Sequence, residues 1–124
     1  MTGGTMGDSI REFEEFRQKM NDRIMESGNL EIKRFFALDK HAYKDGALSA
    51  QTKELLGLVA SMVLRCNDCI NYHLLSCAEL GVSDAQFYEA FNVALVVGGS
   101  IVIPHLRRAA AFLDEIREEA QARG

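Results

Sequence analysis

The sequence predicts an all-α, single-domain bundle of about six helices that is oligomeric. Three observations carry this expectation. The chain has 124 residues with one proline, 48% hydrophobic and 26% charged, which suits one helical domain with a modest core. Apolar residues recur at helical spacing over most of its length, and serine-led capping boxes open two of the segments. The uncharged run from Val93 to Ile103 is too short to span a bilayer and large for a small domain to bury alone.

Residues 1–8 are rich in Gly and Thr and are expected to be disordered, leaving a helical domain over residues 9–122. The first helix is expected to open at Ser9, where "SIRE" pairs Ser9 with Glu12 in a capping box. Ile10, Phe13, Met20 and Ile24 then share one apolar stripe, and Gly28 ends the helix in the left-handed conformation. A second helix is expected from Leu30 to Tyr43, closed by the turn "KDGALS". The third, from Ala50 to Leu64, carries apolar residues on more than one face and should be central. The fourth begins near Cys66 and ends at Gly81. "SDAQ", from Ser83 to Gln86, is a second capping box and opens the fifth. "NVALVVGGSIVIPHL" has strand-like Val and Ile content, but the patterns on either side favour two helices broken near Gly98 and Gly99. Pro104 then falls in the first turn of the sixth helix or kinks it.

Charge and cysteine usage narrow the function. A formal charge of −4 with no long basic run, the paired Arg107 and Arg108 being too few, argues against nucleic acid as a partner. No apolar run reaches the roughly 20 residues of a spanning helix, and the N-terminus lacks the basic-then-apolar order of a secretory signal. A cytoplasmic location with no membrane partner is therefore expected. Three cysteines there do not suggest a structural disulfide framework, because cellular thiols keep most cysteines reduced.

All three cysteines lie in "RCNDCINYHLLSC", together with one of the three histidines. On a helix, Cys66, Cys69, His73 and Cys77 fall within an arc of roughly 80°. A c-type haem needs His directly after the second Cys, where Ile70 stands. A closed zinc or iron–sulfur site needs four ligands, and only Cys66, Cys69 and His73 have workable spacing; a zinc site shared across a subunit interface is the surviving metal reading. A redox dithiol needs less. Thiolates are favoured at a helix N-terminus, and His73 lies one turn beyond Cys69, placed to accept a proton. Two intervening residues at a helix start also allow a Cys66–Cys69 disulfide, whereas Cys77 lies two turns away. The competing reading is cysteines and a histidine packed in a core.

Glu54 adds a carboxylate. The third helix rises roughly 16 Å from Glu54 to Arg65, and an antiparallel fourth descends roughly 10 Å from Cys66 to His73. A glutamate side chain, or one bridging water, spans the difference. Glu54 can then orient His73 and stabilise its charge. His105, beside two arginines, is a weaker candidate for anion binding and is expected in a solvated turn; His41 is weaker still, and Tyr72 is expected to pack.

Glu54, eleven residues, Cys66-x-x-Cys69, three residues and His73 resemble the signature of the alkyl hydroperoxidase D-like branch of the carboxymuconolactone decarboxylase family. "DGALSAQTKELLGLVAS", "CINYHLLSCAELGVS" and "VALVVGGS" resemble it too, so the similarity covers about Phe35 to Leu113. It implies an all-helical fold assembled into trimers or hexamers, and reduction of a small hydroperoxide through the CxxC pair; no cofactor or metal is expected. It also implies dithiol exchange with a thiol reductant or a peroxiredoxin-type protein. By residue, it makes Cys69 the thiol activated through His73 and Glu54, and Cys66 the more accessible, resolving thiol. Cys77 lies outside the motif and is expected in the core or an interface. Asp68 departs from members that carry His before the second Cys, and its carboxylate disfavours a Cys69 thiolate. Two other functions remain in competition: a redox-responsive oligomeric scaffold, and a decarboxylase-type lyase using His73 or His105.

Overall fold

The computed structural model describes residues 8–123. Six helices follow one another: α1 (Asp8–Glu26), α2 (Leu30–Ala42), α3 (Ala50–Val63), α4 (Asn67–Glu79), α5 (Asp84–Gly98) and α6 (Ile103–Arg123). A single 3₁₀ turn, Ser100–Val102, joins the last two, and no strand occurs among the described residues. Residues 1–7 of the segment expected to be disordered lie outside the described residues, and Asp8 is already helical. The helix thus starts a residue earlier than expected. Ser9 stands inside its first turn rather than at its cap, and both Ser9 and Glu12 line a cavity instead of closing a box.

α3 is central, as its two-faced apolar pattern predicts. It packs against α4 and α5, while α4 packs against α6 and α6 against α1. Leu58, Met62, Ile70, Leu74, Phe87 and Phe91 form the fully buried middle. The apolar stripe of α1 is buried at Ile10 and half-buried at Phe13, whose ring meets Phe112 edge-on, but Met20 is exposed. α2 has no buried residue at all, although it carries Leu30, Phe35, Phe36 and Leu38.

The turns explain how the site is set. Gly28 ends α1 with φ 74°, and the expected box at α5 is complete, with Ser83 and Gln86 satisfying each other's backbone N–H groups. Between α3 and α4 the chain closes with paired bonds, Cys66 N–H to Ser61 O and Arg65 N–H to Met62 O. This is the pattern that glycine normally completes. Here Arg65 occupies the left-handed position, with φ 60°, at a cost of about 1 kcal/mol. The tight reversal delivers Cys66 directly to the N-cap of α4. Pro104 is the second residue of α6, where its missing N–H costs nothing. No helix among the described residues is long and apolar enough to cross a membrane.

Candidate active site

The structure joins Glu54 to His73 and Cys66 to Cys69, and Cys69 and His73 line one cavity. Cys66 caps α4 with its sulfur, which accepts the Cys69 backbone N–H at 3.2 Å. The two cysteines are joined by a disulfide, with Cα atoms 5.3 Å apart. Free backbone N–H groups and the helix dipole favour negative charge at this position, so the turn that permits the bond also suits the thiolates that form it. Cys77 is a free thiol with no exposure, facing the core. Burial above all, then the charge of Glu54, pushes it up to about 12, which leaves it protonated and unreactive.

His73 and Glu54 meet directly. Nδ1 of His73 lies 2.7 Å from Oε1 of Glu54, and the residues are only 7% and 6% exposed. A buried carboxylate accepting from Nδ1–H fixes the tautomer and leaves Nε2 free to take a proton. The rings of Tyr43 and Tyr72 stand 5.4 and 5.2 Å from the imidazole, tilted and edge-on to it. Gly57 on α3 also lies against the ring. A Cβ there would lie 2.6 Å from His73 Cε1, and 2.8 Å from both His73 Nε2 and the Tyr43 hydroxyl. Only glycine admits the ring this close to the helix. Burial, then the charges of Glu54 and Asp39, raises Tyr43 above the ordinary phenol value, so its hydroxyl stays protonated and can donate beside Nε2.

A cavity of about 900 Å³ opens onto Cys69 and His73. Its far wall is α1, through Phe13, Phe16 and Met20, and its near wall is α4, through Cys69, Tyr72 and His73. Arg17 lies 4.2 Å over the Tyr72 ring, while Glu12, Asp39 and Asp68 also line the space. Tyr72 thus packs as expected, but it also shapes this cavity.

Two expectations are corrected here. The resemblance made Cys66 the more accessible cysteine, yet in this chain Cys69 is exposed and Cys66 half-buried. The reason is geometric: Cys66 is tucked into the α3–α4 reversal, whereas Cys69 faces the cavity. His105 is not in a solvated turn; it is half-buried, with Nδ1 2.8 Å from Asn67 Oδ1. His41 is exposed in the last turn of α2. Among the described residues no group of three or more His, Cys, Asp and Glu side chains is arranged to hold a metal ion.

Sequence reasoning missed Tyr43, Gly57, Asn67 and the α1 wall. Gly57 gave one usable signal, since a glycine inside a strongly helical segment costs about 1 kcal/mol and usually has a packing reason. Tyr43 and the α1 residues gave none.

The comparisons identify the family and the fold. A Thermotoga maritima protein of known structure is 54% identical, with a TM-score of 0.88 over 90% of this chain and 98% of that one. A second Thermotoga maritima structure, 55% identical with a TM-score of 0.86, is described as a carboxymuconolactone decarboxylase family protein with a suggested part in the antioxidative response; the match covers 90% of this chain and 94% of that one. A Legionella pneumophila protein of the same family is 27% identical, with a TM-score of 0.59 and 91% of each chain covered. "Uncharacterized protein 4 in cox locus" of Paracoccus denitrificans is 35% identical over 82 residues, 66% of this chain and 74% of its own length. The sequence pattern of the carboxymuconolactone decarboxylase family matches residues 32–112, more than half of the chain. The chain belongs to the carboxymuconolactone decarboxylase family.

Proposed function

We propose that the protein is a thiol-dependent oxidoreductase that reduces hydroperoxides through Cys66 and Cys69. The carrying observation is the shared cavity: Cys69 and His73 line the same space, and His73 is held from behind by Glu54 at 2.7 Å. In the reduced protein, His73 Nε2 takes the Cys69 thiol proton, and the thiolate attacks the terminal peroxide oxygen. The O–O bond breaks, the leaving alkoxide takes a proton to become alcohol, and Cys69 becomes a sulfenic acid. The Cys66 thiol then displaces that hydroxyl as water and forms the disulfide. A reductant with two thiols returns the two electrons and two protons, and a reducing compartment such as the cytoplasm supplies it; the regenerated dithiol can in turn pass its electrons to a peroxiredoxin-type protein.

Exposure supports this division of labour, because Cys69 faces the cavity and half-buried Cys66 stands behind it. The α1 wall supports a substrate with an apolar body, and the suggestion made for the Thermotoga relative points the same way. Homo-oligomer formation, as trimer or hexamer, belongs to the same reading. The faces of α2 and the α3–α5 groove expose Phe35, Leu56, Leu64, Val93, Val96 and Val97, apolar side chains of the kind that subunit contacts cover.

Steady-state consumption of cumene hydroperoxide with dithiothreitol as reductant tests the function. The expected result is many turnovers per chain, abolished by Cys69→Ser. A single turnover per chain would instead mark a redox-responsive scaffold, and activity on a cyclic carboxylic acid retained without either thiol would mark a lyase.

A further inference from the structure

We propose that His105 is a positioning residue for the Cys66–Cys69 pair, acting through Asn67. Asn67 is the first helical residue of α4 and stands between the two cysteines. Its Oδ1 accepts a hydrogen bond from His105 Nδ1 at 2.8 Å. Among the described residues, this is the only side-chain hydrogen bond from the Cys66–Cys69 segment to another helix; the other one, Cys69 N–H to Cys66 Sγ, stays within it.

The donor comes from a rigid place. His105 is the third residue of α6, just after the helix interruption between α5 and α6. Gly99 turns there with φ 82° and ψ −174°. Val102 follows, fully buried, and presses so closely on Gly98 that a Cβ at that glycine would lie 2.5 Å from its Cγ2. The break therefore fixes where α6 starts, and with it the imidazole that reaches back to α4. His73 shares the cavity with Cys69, and His105 reaches the pair through the residue between the sulfurs.

The consequence is for the stability of the disulfide. The inference rests on the dithiol reading above but concerns the bond rather than the substrate. In exchange with glutathione, the protein dithiol gives two electrons and two protons to one glutathione disulfide, forming the Cys66–Cys69 bond and two glutathione thiols. A first turn held by His105 keeps the two reduced sulfurs adjacent, so little conformational freedom is lost when the bond closes. A released turn has more freedom to lose, and the equilibrium shifts toward the dithiol.

The test is a glutathione redox titration of the full chain, with thiols trapped by alkylation and the Cys66–Cys69 peptide measured. His105→Ala should lower the exchange constant about tenfold, an upward shift of about 30 mV. Asn67→Ala should do the same, and the double variant no more, because one bond is lost in each case. His105→Gln keeps a side-chain N–H donor and should recover most of the wild-type constant. A merely structural contact would lower the melting temperature and leave the constant alone. Unchanged constants in folded His105→Ala and Asn67→Ala, or additive shifts in the double variant, would overturn the inference. If His105→Ala does not fold, Asn67→Ala decides: an unchanged constant overturns the proposal and a tenfold fall supports it. A wild-type protein that titrates as described without consuming peroxide would remove the peroxidase reading and leave this inference standing. Failure of the pair to form its disulfide at all would overturn both.

Discussion

Gly57→Ala is a one-carbon perturbation whose consequence can be worked from the site. In the interior of a helix such as α3, replacing glycine by alanine should stabilise by about 1 kcal/mol through propensity alone. The new Cβ would, however, lie 2.6 Å from His73 Cε1 and 2.8 Å from Nε2, and ordinary contact begins near 3.4 Å. The ring must therefore retreat by roughly 1 Å, and it is pinned by two tyrosine rings and by Glu54. A 2.7 Å bond stretched by that amount is no longer a hydrogen bond. Losing a buried charge-assisted bond costs about 1.5–3 kcal/mol, so the net effect is destabilisation by about 1 kcal/mol. Misplacing a catalytic group by about 1 Å costs on the order of 100-fold in rate. Stopped-flow measurement of peroxide-driven Cys66–Cys69 oxidation, with a urea melt of the same variant, reads both quantities. Gly46→Ala is the control, because its Cβ would meet only Lys53 Nζ at 3.6 Å. A Gly57→Ala protein that is more stable by about 1 kcal/mol and oxidises at the wild-type rate would refute the argument that His73 needs that space.

Other consequences follow from the same geometry. Glu54→Gln and His73→Ala should each slow alkylation and peroxide oxidation of Cys69 at neutral pH, and the double variant should lose little more than the worse single one, since the two act as a unit; additive losses would dismiss the relay. Cys77 should resist alkylation in the native protein. Because its thiol is pushed up to about 12 from an ordinary 9.0, the unfolded chain releases that proton first as pH rises. Its contribution to stability is therefore intact below pH 9 and lost between 9 and 12, by up to about 4 kcal/mol. Cys77→Ala should flatten that alkaline limb in urea melts, and an unchanged limb would contradict the assignment. Arg65→Gly should stabilise the fold by about 1 kcal/mol by relieving the left-handed conformation; no gain would show that the arginine makes compensating contacts. Light scattering at micromolar concentration should give a trimer or larger, and a monomer would leave the exposed faces of α2 and the α3–α5 groove without the proposed role.

Local pattern made the helices legible in the sequence. Periodicity placed α3 at the centre, Ser83 and Gln86 marked the start of α5, and Gly98 and Gly99 marked the break before α6. The Glu54 to His73 contact was also legible, because two antiparallel helices joined by a tight turn make axial distance a matter of counting residues. Legibility stopped where contacts depend on helices distant in sequence. Nothing local says that α2 brings Tyr43 against His73, or that the first turn of α6 reaches Asn67 from 38 residues away. The relative exposure of Cys66 and Cys69 was carried over from the resemblance, which does not show that the α3–α4 reversal half-buries Cys66 in this chain. α2 was legible as a helix, yet none of its apolar side chains is buried among the described residues, and no local pattern reveals that.

The most direct measurement is stoichiometric. Fully reduced protein treated with one equivalent of cumene hydroperoxide, then alkylated and mapped by mass spectrometry, reports where the two electrons came from. The account predicts a Cys66–Cys69 bond in nearly every chain, Cys77 recovered as a free thiol after denaturation, and a trapped sulfenic acid on Cys69 when Cys66 is replaced by serine. A sulfenic acid on Cys66 instead, a bond that includes Cys77, or peroxide left unconsumed beside two intact thiols would contradict it.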